Sequence, residues 1–247
     1  MQRTIGTPRL WAILASVAGI ASLAVTVAFK LLGPVRAAGV CMTDGAVMRF
    51  EFARTADDLT NLFGLPVDPC RSPIIQAMDA VNQLDVIAYI PSYTLFAIFA
   101  ALFMTGGRLR LPVLLAILAA VVALVADYVE TFTLLEITPG LEAKVALLPT
   151  SATAAWIKFG ALAAHALLLS ALCLEAPPRR WILGFLLLAP TVGVLAAFTN
   201  PQSMNLLTLG FLLAWLPLLG LAIWRSLRPT ADAPLVSGTS AREPAAR

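Results

Sequence analysis

Three polar patterns interrupt the apolar stretches of this sequence. Asp85, Tyr89 and Tyr93 recur every four residues. Asp127 and Glu130 are three apart, and Thr131 is four from Asp127. Ser151, Lys158 and His165 recur every seven. On a helix, each set falls along one face. Carboxyls, phenols, one ammonium and one imidazole on facing helices allow three kinds of chemistry. Asp127 and Glu130 could act as an acid–base pair on a lipophilic substrate, with Lys158 as charge partner. A surplus of carboxylates could carry a proton or hold a cation. A charged cup could also bind the head of a lipid or small amphiphile, or engage a partner protein.

Cost argues that these groups meet. A lone charge at the centre of a membrane helix costs roughly 2.5–3.5 kcal/mol on insertion scales, so such groups pair or face a cavity. Asp85, Asp127 and Glu130 outnumber Lys158, so ion pairing alone cannot neutralise them. Counted from the helix ends at 1.5 Å per residue, all four groups sit about 10–15 Å below the same end, with Tyr89 and His165 deeper. A plainer account competes. Val86 to Thr105 is already long enough to span, which would leave Asp85 among headgroups, and Lys158 could snorkel. The cluster would then be a hydrogen-bonded network that ties helices together. His165 is the only histidine. It reads as a packing residue bonded to a hydroxyl or carbonyl, because a metal would need several converging His or Cys ligands. No metal or cofactor is expected.

The elements that must position these residues are membrane helices. Of 247 residues, 60% are hydrophobic and 13% charged, with a mean hydropathy of +0.87. Soluble domains have about twice that share of charge. The expected fold is an all-α polytopic bundle within one transmembrane domain, residues 1–228. Its spans are expected at about 10–32, 74–105, 112–137, 151–174, 181–198 and 202–224. The first is longer than a signal-peptide core and reads as an uncleaved anchor, closed by Gly33-Pro34, with cleavage at Val35-Arg36-Ala37-Ala38-Gly39 as the alternative. Ser72-Pro73 opens the second as cap and first turn, and Pro91 should kink it. Asn200-Pro201 caps the sixth. Residues 229–247, rich in Ala, Pro, Ser and Thr, read as a disordered tail.

Residues 35–72 form a polar module between the first two spans. Ala46 to Phe52 alternates apolar and charged residues and predicts a short strand. Thr55 and Asp58 predict a capping box before a helix whose apolar face is Leu59, Leu62 and Phe63, stopped by Gly64 and Pro66. The module should lie on the membrane surface. Cys41 and Cys70 bracket it, and in an oxidising compartment they predict a structural disulfide. Cys173 reads as an apolar filler.

Arginines set the orientation. Arg3, Arg9, Arg108, Arg110, Arg179, Arg180, Arg225 and Arg228 all fall at one end of the spans, so both termini should be cytoplasmic in a plasma membrane, the bacterial inner membrane. The module is then extracytoplasmic. Partners should be the bilayer, a lipid or lipophilic small molecule, and a second copy or another membrane protein. The basic residues form no cluster interleaved with aromatics, which excludes nucleic acid. HExxH, GxSxG and Gly-rich phosphate motifs are absent. Three functions stay open: a binding or auxiliary protein, a small membrane enzyme, and a proton-coupled transporter, the last disfavoured by the lack of an internal repeat.

Overall fold

Backbone that crosses hydrocarbon must satisfy its own N–H and C=O groups, and a helix does so along every apolar run. The computed structural model describes residues 4–42, 45–175, 180–200 and 203–228. The expected tail, and Arg3, Asp44, Arg179 and Pro201, lie outside these residues. Six helices are long and apolar enough to cross a membrane: Pro8–Leu31, Arg71–Thr105, Leu111–Gly140, Val145–Leu174, Trp181–Thr199 and Met204–Ser226. The protein is an all-α polytopic integral membrane protein.

The first span is α1 (Pro8–Leu31), capped by the Thr7 hydroxyl. The second joins α5 (Arg71–Leu84) to α6 (Ile90–Thr105). The third and fourth are α7 (Leu111–Ile137) and α8 (Leu148–Leu174). The fifth is split into α9 (Trp181–Leu186) and α10 (Ala189–Thr199), and the sixth is α11 (Met204–Ser226). Each span packs on its sequence neighbours, and α11 returns to α1, which closes a ring. Without a hydrophobic drive between helices in lipid, close backbone approach supplies much of the packing. Gly193 and Gly210 show this. A Cβ on Gly193 would lie 2.6 Å from the Leu206 carbonyl oxygen, and one on Gly210 2.5 Å from that of Ala189.

The spans also carry local features that hydropathy does not show. Span five is found at Trp181–Thr199, as expected near 181–198, but as two helices. It breaks at Leu187-Leu188, because Pro190 fits the first turn of α10 but cannot donate into a preceding one. The second span begins at Arg71 with Cys70, not Ser72, at the cap position. Near Pro91 this span forms a π-helical turn, Asp85–Tyr89, in which the Ile90 N–H reaches back to the Asp85 carbonyl. Pro91 brings no N–H to the next turn, and the wide turn accommodates that loss.

The module also differs from expectation. Residues 46–52 are not a strand. Ala46–Glu51 is a helix, α3, after α2 (Gly33–Ala37) and before α4 (Ala56–Phe63). A lone strand would leave its backbone groups unpaired, and among the described residues no strand exists to pair with it. Gly45, at φ +73°, turns the chain into α3, a conformation that favours glycine. Ala46 and Phe50, four apart, then bury one face. Nor does the module merely rest on a membrane surface. Phe50 and Phe63 meet edge to face at 5.0 Å and share a core with Met78, Leu134, Ile137 and Leu148 of the spans.

Other readings of the module hold. The capping box forms: the Thr55 hydroxyl accepts from the Asp58 N–H, and Asp58 accepts from the Thr55 N–H. Slight burial pulls the Asp58 carboxyl up, but N–H bonds from Arg54 and Thr55 and the Thr55 hydroxyl bring it below its ordinary value. Leu59, Leu62 and Phe63 are buried. Cys41 and Cys70, 29 residues apart, form a disulfide with Cα atoms 5.4 Å apart. Cys173 is a free, buried thiol in the apolar core at the other end.

Opening the bridge removes a constraint on the unfolded module worth roughly 3–4 kcal/mol on the chain-entropy model. The Cys41→Ser variant is therefore expected to show much faster amide exchange across α3 and α4, with the spans unchanged. Unaltered exchange in α3 and α4 would show that packing alone holds the module.

Candidate functional site

Lys158 is the only buried cation among the described residues. It stands ten residues past Leu148 on α8, about 15 Å below the module end of the bundle. Its Nζ donates to Asp127 Oδ1 at 3.1 Å and to Glu130 Oε1 at 3.0 Å. Glu130 Oε2 lies 2.8 Å from it. Asp127 and Glu130 are three apart on α7, so both reach the same point. A third carboxylate comes from the module: Glu51 Oε2 is 3.5 Å from Nζ. That oxygen is buried and makes no hydrogen bond among the described residues. The Phe159 ring centroid lies 4.7 Å from the ammonium.

Asp85 completes the group. It does not touch Lys158; it accepts from the Thr131 hydroxyl at 3.0 Å. The Tyr93 hydroxyl donates to Asp127 Oδ2 at 2.7 Å. The Tyr89 ring lies 5.4 Å from Tyr93 and 5.4 Å from Phe29 of α1, so it lines the edge of the cluster rather than its centre. His165 is elsewhere. Its Nδ1 lies 3.0 Å from the Ala116 carbonyl oxygen, seven residues and about 10 Å further along α8.

These bonds belong to a longer series between spans two and three. Arg71 pairs with Glu142, Asp79 accepts from Thr138 at 2.6 Å, and the Tyr128 hydroxyl donates to the Val86 carbonyl at 3.3 Å. With Thr131–Asp85 and Tyr93–Asp127 they make an antiparallel polar zipper. It fixes the register of α5 and α6 against α7.

Glu51 is the residue that sequence reasoning missed. Read as a strand, the segment turns Glu51 to solvent with Arg49. Read as a helix, it turns Glu51 into the bundle. The one available signal was its position between Phe50 and Phe52, two rings that require cover. Phe52 packs on Trp156 and Phe159 of α8, at 4.7 and 5.9 Å, and so seats α3 over the cluster. Burial pushes the Glu51 carboxyl up, Lys158 opposes that, and Asp127 adds to it.

The cluster therefore has three carboxyl groups around one ammonium and a fourth, Asp85, beside them, closed over by a six-residue helix. Among the described residues, no group of three or more His, Cys, Asp or Glu side chains is arranged to hold a metal. A groove of about 700 Å³ runs on the outer face of α7 and α8, lined by Val125, Val129, Ala154 and Ile157. The cluster residues do not line it. Compared with known proteins, the chain matches no family model, no curated protein and no solved structure. The chemistry of the site is thus read from its own geometry.

Two outcomes follow for the cluster. Lys158→Met leaves buried carboxylates without their cation, and is expected to cost about 3–5 kcal/mol in thermal or denaturant unfolding in detergent. Adding Glu130→Gln should recover much of that loss; strictly additive losses would show that the pair is not coupled. Docked α3 holds its Glu51 proton more tightly than released α3. Docking is therefore fully favoured below pH 4.5, the ordinary glutamate value, and weakens as pH rises toward the raised value. Amide exchange in α3 should quicken over that range, and Glu51→Gln should flatten the dependence.

Proposed function

We propose that this protein is a binding protein of a bacterial inner membrane, with both termini cytoplasmic and the module outside. Its cup would take a lipid or small amphiphile through a cationic or hydrogen-donating head group. The carrying observation is the charge imbalance: Glu51, Asp127 and Glu130 face the single ammonium of Lys158, and Asp85 stands beside them on the Thr131 hydroxyl. A buried surplus of acceptors is complementary to a ligand that brings donors or positive charge. Lys158 holds Asp127 and Glu130 in place. Glu51 has the longest of the three ion pairs and rides on the short α3, so its contact with Lys158 is the one a ligand would displace. The arginines at the opposite end, Arg108, Arg110, Arg180, Arg225 and Arg228, support the orientation.

Proton-coupled transport is the second reading. The same surplus favours it, because four carboxyls beside one cation need protons or cations to be neutral in a low-dielectric interior. The π turn at Asp85–Tyr89 is also of the kind found at functional sites in helices.

A binding series separates the readings. The full chain in phosphatidylcholine nanodiscs is unfolded thermally with a long-chain alkylamine, alcohol or carboxylate of equal length, below micelle-forming concentration. The amine should stabilise most, by about 2.7 kcal/mol at a hundredfold excess over Kd. Glu130→Gln should abolish that gain and Glu51→Gln should reduce it. No head-group preference would sink the binding reading. Proton uptake into vesicles without amine binding would favour transport instead.

A further inference from the structure

The opposite end of the bundle holds a second cavity, of about 580 Å³, between α9 and α11. It lies beside α9, the short helix that precedes the break in span five. Ile182, Leu186, Pro217 and Leu221 make apolar walls. Arg180, Arg225 and Trp224 line it as well. The Arg228 guanidinium stacks over the Trp224 ring at 4.2 Å and the Arg225 guanidinium lies 5.9 Å from it.

We infer that this cavity binds an anionic phospholipid, its phosphate between Arg180 and Arg225 and an acyl chain along the apolar wall. Guanidinium suits phosphate because its planar fork donates two parallel hydrogen bonds. With five donors each, both arginines can bond a phosphate beside their protein partners. Tryptophan prefers the boundary between headgroups and hydrocarbon, which sets the depth of the site. Charge favours an anion throughout this end. The described residues carry Arg9, Arg108, Arg110, Arg180, Arg225 and Arg228 there, against one acid, Glu175, which is exposed and does not line the cavity. Basic pockets between membrane helices are a known mode of anionic headgroup recognition. The inference is independent of the carboxylate cup.

The test uses the full chain taken from bilayers of equal phosphatidylglycerol and phosphatidylcholine into detergent, with retained lipid read by native mass spectrometry. Phosphatidylglycerol should be retained in preference. Arg180→Gln and Arg225→Gln should each lower its retention roughly fivefold, the effect of about one surface cation. Arg108→Gln, at the same end but outside the cavity, should leave it unchanged. Ile182→Trp fills the cavity without removing charge and should also displace the lipid. Equal retention of the two lipids would overturn the inference. So would an equal loss in the Arg108 variant, which would mean diffuse surface charge, or displacement by millimolar inorganic phosphate, which would mean a site for free anions.

Discussion

An ammonium cannot be buried cheaply, and the arrangement of this bundle follows from how Lys158 is accommodated. Taking an ion from water to a protein interior costs several kcal/mol even after relaxation, and only close, well-oriented counter-charges offset it. Asp127 and Glu130 provide them at 2.8–3.1 Å. That requirement fixes α7 against α8. A slip of one helical turn, 5.4 Å, would part all these contacts. The series of bonds from Arg71–Glu142 to Tyr93–Asp127 then carries the same register to the second span. Apolar side chains alone specify register weakly in lipid, since a shifted helix meets lipid tails as apolar as itself.

The module belongs to this arrangement. Its rings fill the space between spans two, three and four, and α3 brings Glu51 onto the ammonium. The disulfide between Cys41 and Cys70 encloses α3 and α4 and holds them at the mouth of the bundle. Covalent closure, apolar packing and an ion pair thus act on one short helix. Of the three, only the contact made by the Glu51 carboxyl changes with protonation, and because burial favours its protonated form, docking of α3 weakens as pH rises while the disulfide and the apolar packing do not titrate.

The two ends of the protein are chemically opposed. The module end gathers acids under a lid, and the other end gathers arginines around an open apolar cavity. Between them the interior is aromatic and small-residue packing around Tyr93, Ala123 and Trp215. His165 falls in this quiet zone, bonded to a backbone carbonyl, which is why its spacing from Lys158 did not translate into a shared site.

The number and placement of spans were legible in the sequence because hydropathy and length are local properties. So was the capping box at Thr55, which needs only four consecutive residues. The meeting of Asp127, Glu130 and Lys158 was also foreseeable, since buried charges must find partners and few were available. Residues 46–52 were not legible. Seven residues fit an alternating strand and a two-turn helix equally well, and the presence or absence of a partner strand decides between them. The same ambiguity hid Glu51, whose direction reverses with that choice. Local chemistry decided which segments enter the membrane. Tertiary packing decided which side of each helix faces Lys158, because a buried charge selects its partners through space and not along the chain.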